Sequence, residues 1–261
     1  MFLRIVFLFV LGFISLGIQT PSALEKPKDS EPPKNFQNTF YPKKNKKDII
    51  VKHTAFALCY SEVHEQAKWV AYRLTSDMCK NNEEERTDNF REDPLIKTGS
   101  ATPDDYKGSG YDRGHLCPAG DMAWSDITMS ESFLMSNMSP QEPKFNRGIW
   151  KKLETKVRDW AQTNEELYVV TAGVLEEGLK TIGENKVSVP NYYYKVILDV
   201  KLPEYKAIAF VLPNEGSKKD LFEYAVSIDS IERLTGINFF YNLPDKLENN
   251  LESHIDVNKW H

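Results

Sequence analysis

The sequence predicts a mixed α+β fold around an antiparallel sheet, in a single domain. Two observations carry this. Segments rich in β-branched and aromatic residues do not alternate regularly with helical patterns, which disfavours a doubly wound parallel sheet. At 261 residues, 41% apolar and 12% aromatic, the chain can bury a substantial core, which excludes disorder throughout; no internal repeat divides it.

The elements follow in chain order. Residues 5–18 form an apolar run behind Met1 and Arg4, shorter than the roughly 20 residues of a membrane span, with Ser22 and Ala23 beyond it. This predicts a cleaved export signal over 1–23 and a mature form that is periplasmic or extracellular and off the membrane, the alternative being an uncleaved anchor. Residues 24–49, with Pro27, Pro32, Pro33, Pro42 and a run of lysines, read as a Pro/Lys-rich linker. The folded domain is expected over 50–250 and a C-terminal tail over 251–261.

Within the domain, residues 54–60 and 69–75 read as strands, 80–93 as a charged loop and 98–114 as an irregular, Gly-rich approach. Residues 147–161 give the best helix, because Ile149, Trp150, Leu153, Val157, Trp160 and Ala161 recur at three and four. Strands are expected at 167–172, 192–200 and 205–212, and a last helix from 229 or 230 to 234, closed by Gly236. Of Cys59, Cys79 and Cys117, export permits one disulfide, and Cys59–Cys79 is the first pairing to test.

The chemistry concentrates in Tyr111-Asp112-Arg113-Gly114-His115-Leu116-Cys117, followed by Ser136-Asn137-Met138-Ser139-Pro140-Gln141 and Phe145-Asn146-Arg147-Gly148-Ile149-Trp150. An imidazole takes a proton near neutral pH, an arginine is a fixed cation for a phosphate, and Gly114 would leave room for a substrate or metal. Asn146 by itself reads as a helix cap. Glu154 reads as an i,i+4 partner of Arg158. Cys117 is a thiol nucleophile or a packed core residue, and the absence of a base–thiol spacing favours packing.

In order and spacing these segments resemble the DNA/RNA non-specific endonuclease family, the ββα-metal or His-Me finger nucleases. Trp69–Tyr72, Val170–Gly173, Val189–Val196 and Phe210–Asn214 extend the resemblance over roughly 53–243. It implies an exported phosphodiester hydrolase acting on DNA and RNA through phosphate contacts, leaving 5′-phosphate ends and using Mg²⁺, with Mn²⁺ as a substitute. It further implies His115 as general base, Asn146 as metal ligand, and Arg113 as the phosphate contact. Asn137 would organise the site near the phosphate, and Glu154 would hold water of the cation's hydration shell. On a continuous helix Glu154 lies roughly 12 Å along the axis from Asn146, too far for both to ligate directly. A second arginine of the pattern is either Arg86 or Arg91. No inhibitor partner is indicated.

The net charge of −5 gives no bulk attraction to nucleic acid, so cations must gather locally. Lys144, Arg147, Lys151, Lys152, Lys156 and Arg158 supply a basic strip. The alternative is a non-catalytic nucleic-acid-binding or surface module on the same fold. A zinc hydrolase is weaker still, because His53, His64, His254 and His261 are scattered.

Overall fold

The β-branched and aromatic segments pair into one seven-stranded sheet in which every neighbouring pair is antiparallel, as expected. The computed structural model describes residues 40–202 and 204–261; the expected export signal and the linker up to residue 39 lie outside the described residues. In chain order the elements are β1 (Ile49–Lys52), β2 (Phe56–Ser61), β3 (Gln66–Thr75), α1 (Ser76–Lys80), β4 (Asp112–His115), α2 (Asp126–Ser132), β5 (Met138–Gln141) and α3 (Lys151–Asn164). There follow β6 (Glu166–Gly173), the short β7 (Thr181–Ile182) and β8 (Val187–Ser188), β9 (Tyr192–Asp199), β10 (Lys206–Pro213), β11 (Ala225–Val226), α4 (Ile228–Thr235) and α5 (Asp245–Ser253). The sheet order is β1-β2-β3-β6-β9-β10-β11.

The stripe read from the sequence is the buried face of α3: Leu153, Val157, Trp160 and Ala161 all face the core. The Trp160 ring stacks 6.2 Å from Phe210 of β10 and meets Trp260 edge-on at 4.9 Å. Its indole Nε1 donates to the Trp260 carbonyl at 2.7 Å, so a large apolar body is buried with its polar atom satisfied. That contact holds the C-terminal tail, expected over 251–261, against the core. Residues 40–49 are likewise no free linker, since Phe40 is 2% exposed and lies 4.1 Å from the Tyr168 ring. Gly236 closes α4 in the left-handed conformation at φ 70°, as expected.

The thiols differ from the sequence reading: all three cysteines are free. Cys59 is buried within β2, and Cys79 is partly buried on α1. Burial, with Asp121 adding to it, pushes the Cys117 thiol far above the usual range, which removes it as a thiolate nucleophile.

The irregular approach ends in a strand. β4, the Asp-Arg-Gly-His segment, pairs antiparallel with β5, setting Gly114 opposite Ser139 and His115 opposite Met138. Ser139 fastens this two-stranded ribbon to the main sheet, its hydroxyl meeting Gln66 Oε1 at 2.5 Å and the Tyr193 hydroxyl at 2.6 Å. Gly114 also has another reason than the expected one. A Cβ there would run into the Gln141 side chain, so the glycine makes room for a β5 neighbour and not for substrate.

Candidate active site

A cleft of about 520 Å³ opens where the ribbon meets the start of α3. His115, Arg113, Asn146 and Glu154 all line it. Arg86, Arg147, Lys151 and Arg158 complete the charged lining; Arg86, Arg147 and Arg158 are paired with Asp88, Asp112 and Asp121, which leaves Arg113 and Lys151 as the cations without an ion-pair partner among the described residues. A chain of net charge −5 thus concentrates positive charge where a phosphate would enter.

His115 ends β4 and is 8% exposed. Its ring stands edge-on to Phe133 at 4.8 Å and lies 5.9 Å from Phe90. Burial, helped by the positive charge of Arg86, brings its pKa down to about 3, so the imidazole is neutral across the physiological range. Nε2 is buried without a hydrogen-bond partner among the described residues.

Of the two arginines left open, Arg86 lines the cleft, its guanidinium 4.7 Å over the Phe133 ring and its Nε bonded to Asp88 at 2.6 Å. Arg91 instead donates to the backbone carbonyls of Asn89 and Ser130. Arg113 is exposed, with its guanidinium 4.3 Å over Phe90.

Asn146 does not cap a helix. It lies in a wide turn, Phe145–Trp150, broken at Gly148, whose φ of −111° and ψ of −109° are not helical. The estimate of its separation from Glu154 therefore fails, because the segment between them is not a continuous helix, and both side chains reach one cleft. The Asn146 Nδ2 donates to Asp112 Oδ2 at 2.9 Å, which turns the amide oxygen away from Asp112. Asp112 also takes a two-pronged contact from Arg147 at 2.8 and 2.6 Å. The acid of the motif is thus an orienting group.

Glu154 makes no ion pair with Arg158. Arg158 bonds Asp121 at 2.7 Å, and Asp121 is held from the other side by the Tyr72 hydroxyl at 2.8 Å. Burial pushes the Glu154 carboxyl up to about 7, with Lys195 pulling it the other way. Lys195, from β9, is fully buried with its ammonium 4.8 Å over the Trp150 ring and without a hydrogen-bond partner among the described residues. Sequence reading missed it, although a lysine inside an otherwise apolar and aromatic strand was the available signal.

Asn137 acts on the site through the backbone. It is 0% exposed, and its amide is spent on backbone: Oδ1 accepts from Cys117 N at 2.9 Å, and Nδ2 donates to the carbonyls of Cys117 and Ser132 at 2.9 and 2.8 Å. It positions the chain just after His115 and does not reach a phosphate. Losing it would strand buried backbone groups at a cost of about 1–3 kcal/mol each.

The donor set suits a hard cation: an amide oxygen turned away from Asp112 and a carboxylate with no hydrogen-bond partner among the described residues, both lining one cleft. Among the described residues, the one group of three close carboxylate, His or Cys ligands is Asp229, Glu232 and Glu252, on α4 and α5, which gives the zinc reading no support. Of the basic strip, Arg147, Lys151 and Arg158 face the cleft. Lys156 instead lies 5.7 Å over the Trp160 ring.

The pattern of the DNA/RNA non-specific endonuclease family matches residues 33–246. A nuclease of Nostoc sp. (strain PCC 7120 / SAG 25.82 / UTEX 2576) is 36% identical over 222 residues, covering 80% of this chain and 78% of the relative. Mitochondrial nuclease EXOG of Danio rerio is 35% identical over 204 residues, 72% of this chain, and the chain spans 60% of that relative's length. A crystal structure of the EndoG/EndoGI complex, which addresses how EndoG is inhibited, matches with a TM-score of 0.69 at 32% identity, over 74% of this chain and 86% of that one. With a match running from before the first strand to the last helix, and enclosing every residue of the cleft, the chain belongs to the DNA/RNA non-specific endonuclease family and is a nuclease.

Proposed function

We propose that the protein is an exported, Mg²⁺-dependent endonuclease that hydrolyses DNA and RNA with little sequence preference, leaving 5′-phosphate ends. The observation that carries this is the convergence of a neutral, buried imidazole and an outward-held amide oxygen on one cationic cleft. With Nε2 shut in, Nδ1 of His115 is the nitrogen left to take a proton from a water attacking phosphorus. Arg113 and Arg86 hold the non-bridging oxygens, where fixed charge lowers the barrier without reorganisation. Asn146 would ligate the cation, Asp112 keeps that amide turned outward, and Glu154 accepts hydrogen bonds from water in the cleft. Mg²⁺, or Mn²⁺ in its place, would offset negative charge building on the phosphoryl group and the leaving 3′-oxygen. Contacts to phosphate and sugar fix position without reading bases, hence the broad substrate range. Export rests on the apolar segment behind Arg4.

The direct test incubates purified protein with supercoiled plasmid and with RNA, with and without Mg²⁺. Cleavage of both that EDTA abolishes is expected; binding without cleavage would make the protein a non-catalytic module.

A proton on Glu154 competes with the cation. Its carboxyl sits near 7, above the ordinary 4.5, so it is neutral below that pH and anionic above it. The Mg²⁺ concentration for half-maximal cleavage should therefore rise as pH falls through about 7 in the wild type and stay level in Glu154→Gln. An identical pH dependence in both proteins would remove Glu154 from this role.

A further inference from the structure

Beside the cleft lies a second pocket of about 310 Å³, and the two share Arg113. Its volume is at the lower end of small-molecule sites, roughly 300–1,000 Å³, and suits one nucleoside. We propose that it takes the nucleoside flanking the scissile phosphate of a single nucleic-acid strand, with Tyr111 as the stacking surface and Lys107 and Lys180 as contacts to the next phosphate.

The loop leading to β4 is built to present that ring. Gly108 and Gly110 adopt φ of 70° and 85°, which other residues rarely take, and turn the chain sharply. Ser109 Oγ donates to the Tyr106 carbonyl at 2.7 Å and accepts from Tyr111 N at 3.1 Å. Tyr111 is half-buried, packs against the buried cluster of Ala101, Tyr106 and Met138, lines the pocket, and carries the Lys180 ammonium 5.2 Å over its ring, a place that a stacked base would take while freeing the ammonium for phosphate. Lys107 lines the same pocket and is exposed. An aromatic face beside cations is the arrangement that holds an unpaired base and its backbone; a base inside an intact duplex has no free face to offer. Asp104, also in the lining, repels phosphate from that end and can accept hydrogen bonds from base amines or sugar hydroxyls. Arg113 then touches the scissile phosphate from one side and the flanking nucleotide from the other.

This inference rests on the nuclease reading, and the experiment separates the two. Initial rates are measured on a labelled eight-nucleotide single strand and on plasmid duplex. Tyr111→Leu is expected to raise KM for the single strand by about 5- to 150-fold, the range of base stacking on an aromatic ring, with a smaller change on the duplex and kcat held. Tyr111→Phe keeps the wild-type KM. In Lys107→Ala/Lys180→Ala, the slope of log KM against log salt should flatten by about 1.4, since each phosphate contact on a single strand contributes about 0.7. An unchanged KM in the Leu variant, equal losses on strand and duplex, or an unaltered salt slope overturns the assignment. Should Tyr111→Leu not fold, the exposed lysine pair decides alone. A wild type that cuts neither substrate overturns the nuclease reading instead.

Discussion

Replacing His115 with Ala should slow phosphodiester cleavage by about 10²–10⁴-fold, the usual contribution of a positioned general base, while plasmid binding and the far-ultraviolet circular dichroism stay as they are. Binding survives because the cations that meet phosphate come from other residues, Arg86, Arg113, Arg147 and Lys151. The substitution also has a signature in stability. In the fold the imidazole titrates near 3, below its ordinary 6.5, so the unfolded chain binds the proton first. The wild type therefore loses stability as pH falls from about 6.5 toward 3, and that component vanishes in the variant. Thermal melts at two pH values on either side of 6.5 read it. A variant that cuts plasmid at the wild-type rate would mean that another group takes the proton.

Asn146→Ala is expected to raise the Mg²⁺ concentration needed for half-maximal cleavage by at least about tenfold, because even groups that only orient a ligand cost 10- to 100-fold in metal affinity. Calorimetric titration of Mg²⁺ into the variant gives the same answer without turnover. Asp112→Ala should shift the titration in the same direction but less, since it frees the Asn146 amide to rotate and releases Arg147 without removing the oxygen. Equal Mg²⁺ titrations for the wild type and Asn146→Ala would take the amide out of the cation site.

Much of this molecule could be read before any coordinates. β6, β9 and β10 stand out because β-branched and aromatic side chains fill runs bounded by turn residues, and α3 because its apolar stripe has one period throughout. The β4–β5 ribbon was hidden for a physical reason. Its strands are four residues each and contain Gly114 and Pro140, both poor strand formers, and what holds them is remote: Gln66 and Tyr193 on Ser139. α5 escaped notice because only Leu251 and Glu252 of its nine residues are buried. In the site, His115, Arg113, Asn146 and Glu154 were legible from motif order. Arg158 was assigned the wrong partner, since its true one, Asp121, is distant in sequence and chosen by the Tyr72 hydroxyl. Arg86 and Arg91 could not be told apart in a charged loop, where only the cleft distinguishes them.

The break at Gly148 has a consequence for tolerated length. Each residue of a regular helix adds about 100° of rotation, so within α3 the residue count ties the heading of Glu154 to that of Val157 and Trp160, while the break at Gly148 sets the heading of Asn146 separately. Deleting one residue of α3 just after Glu154 would swing the carboxylate out of the cleft, or else turn Val157 and Trp160 away from the sheet. The chain cannot satisfy both facings after such a change. Point substitutions at Thr155 or Lys156 leave that phase alone, whereas a single-codon deletion there erases it.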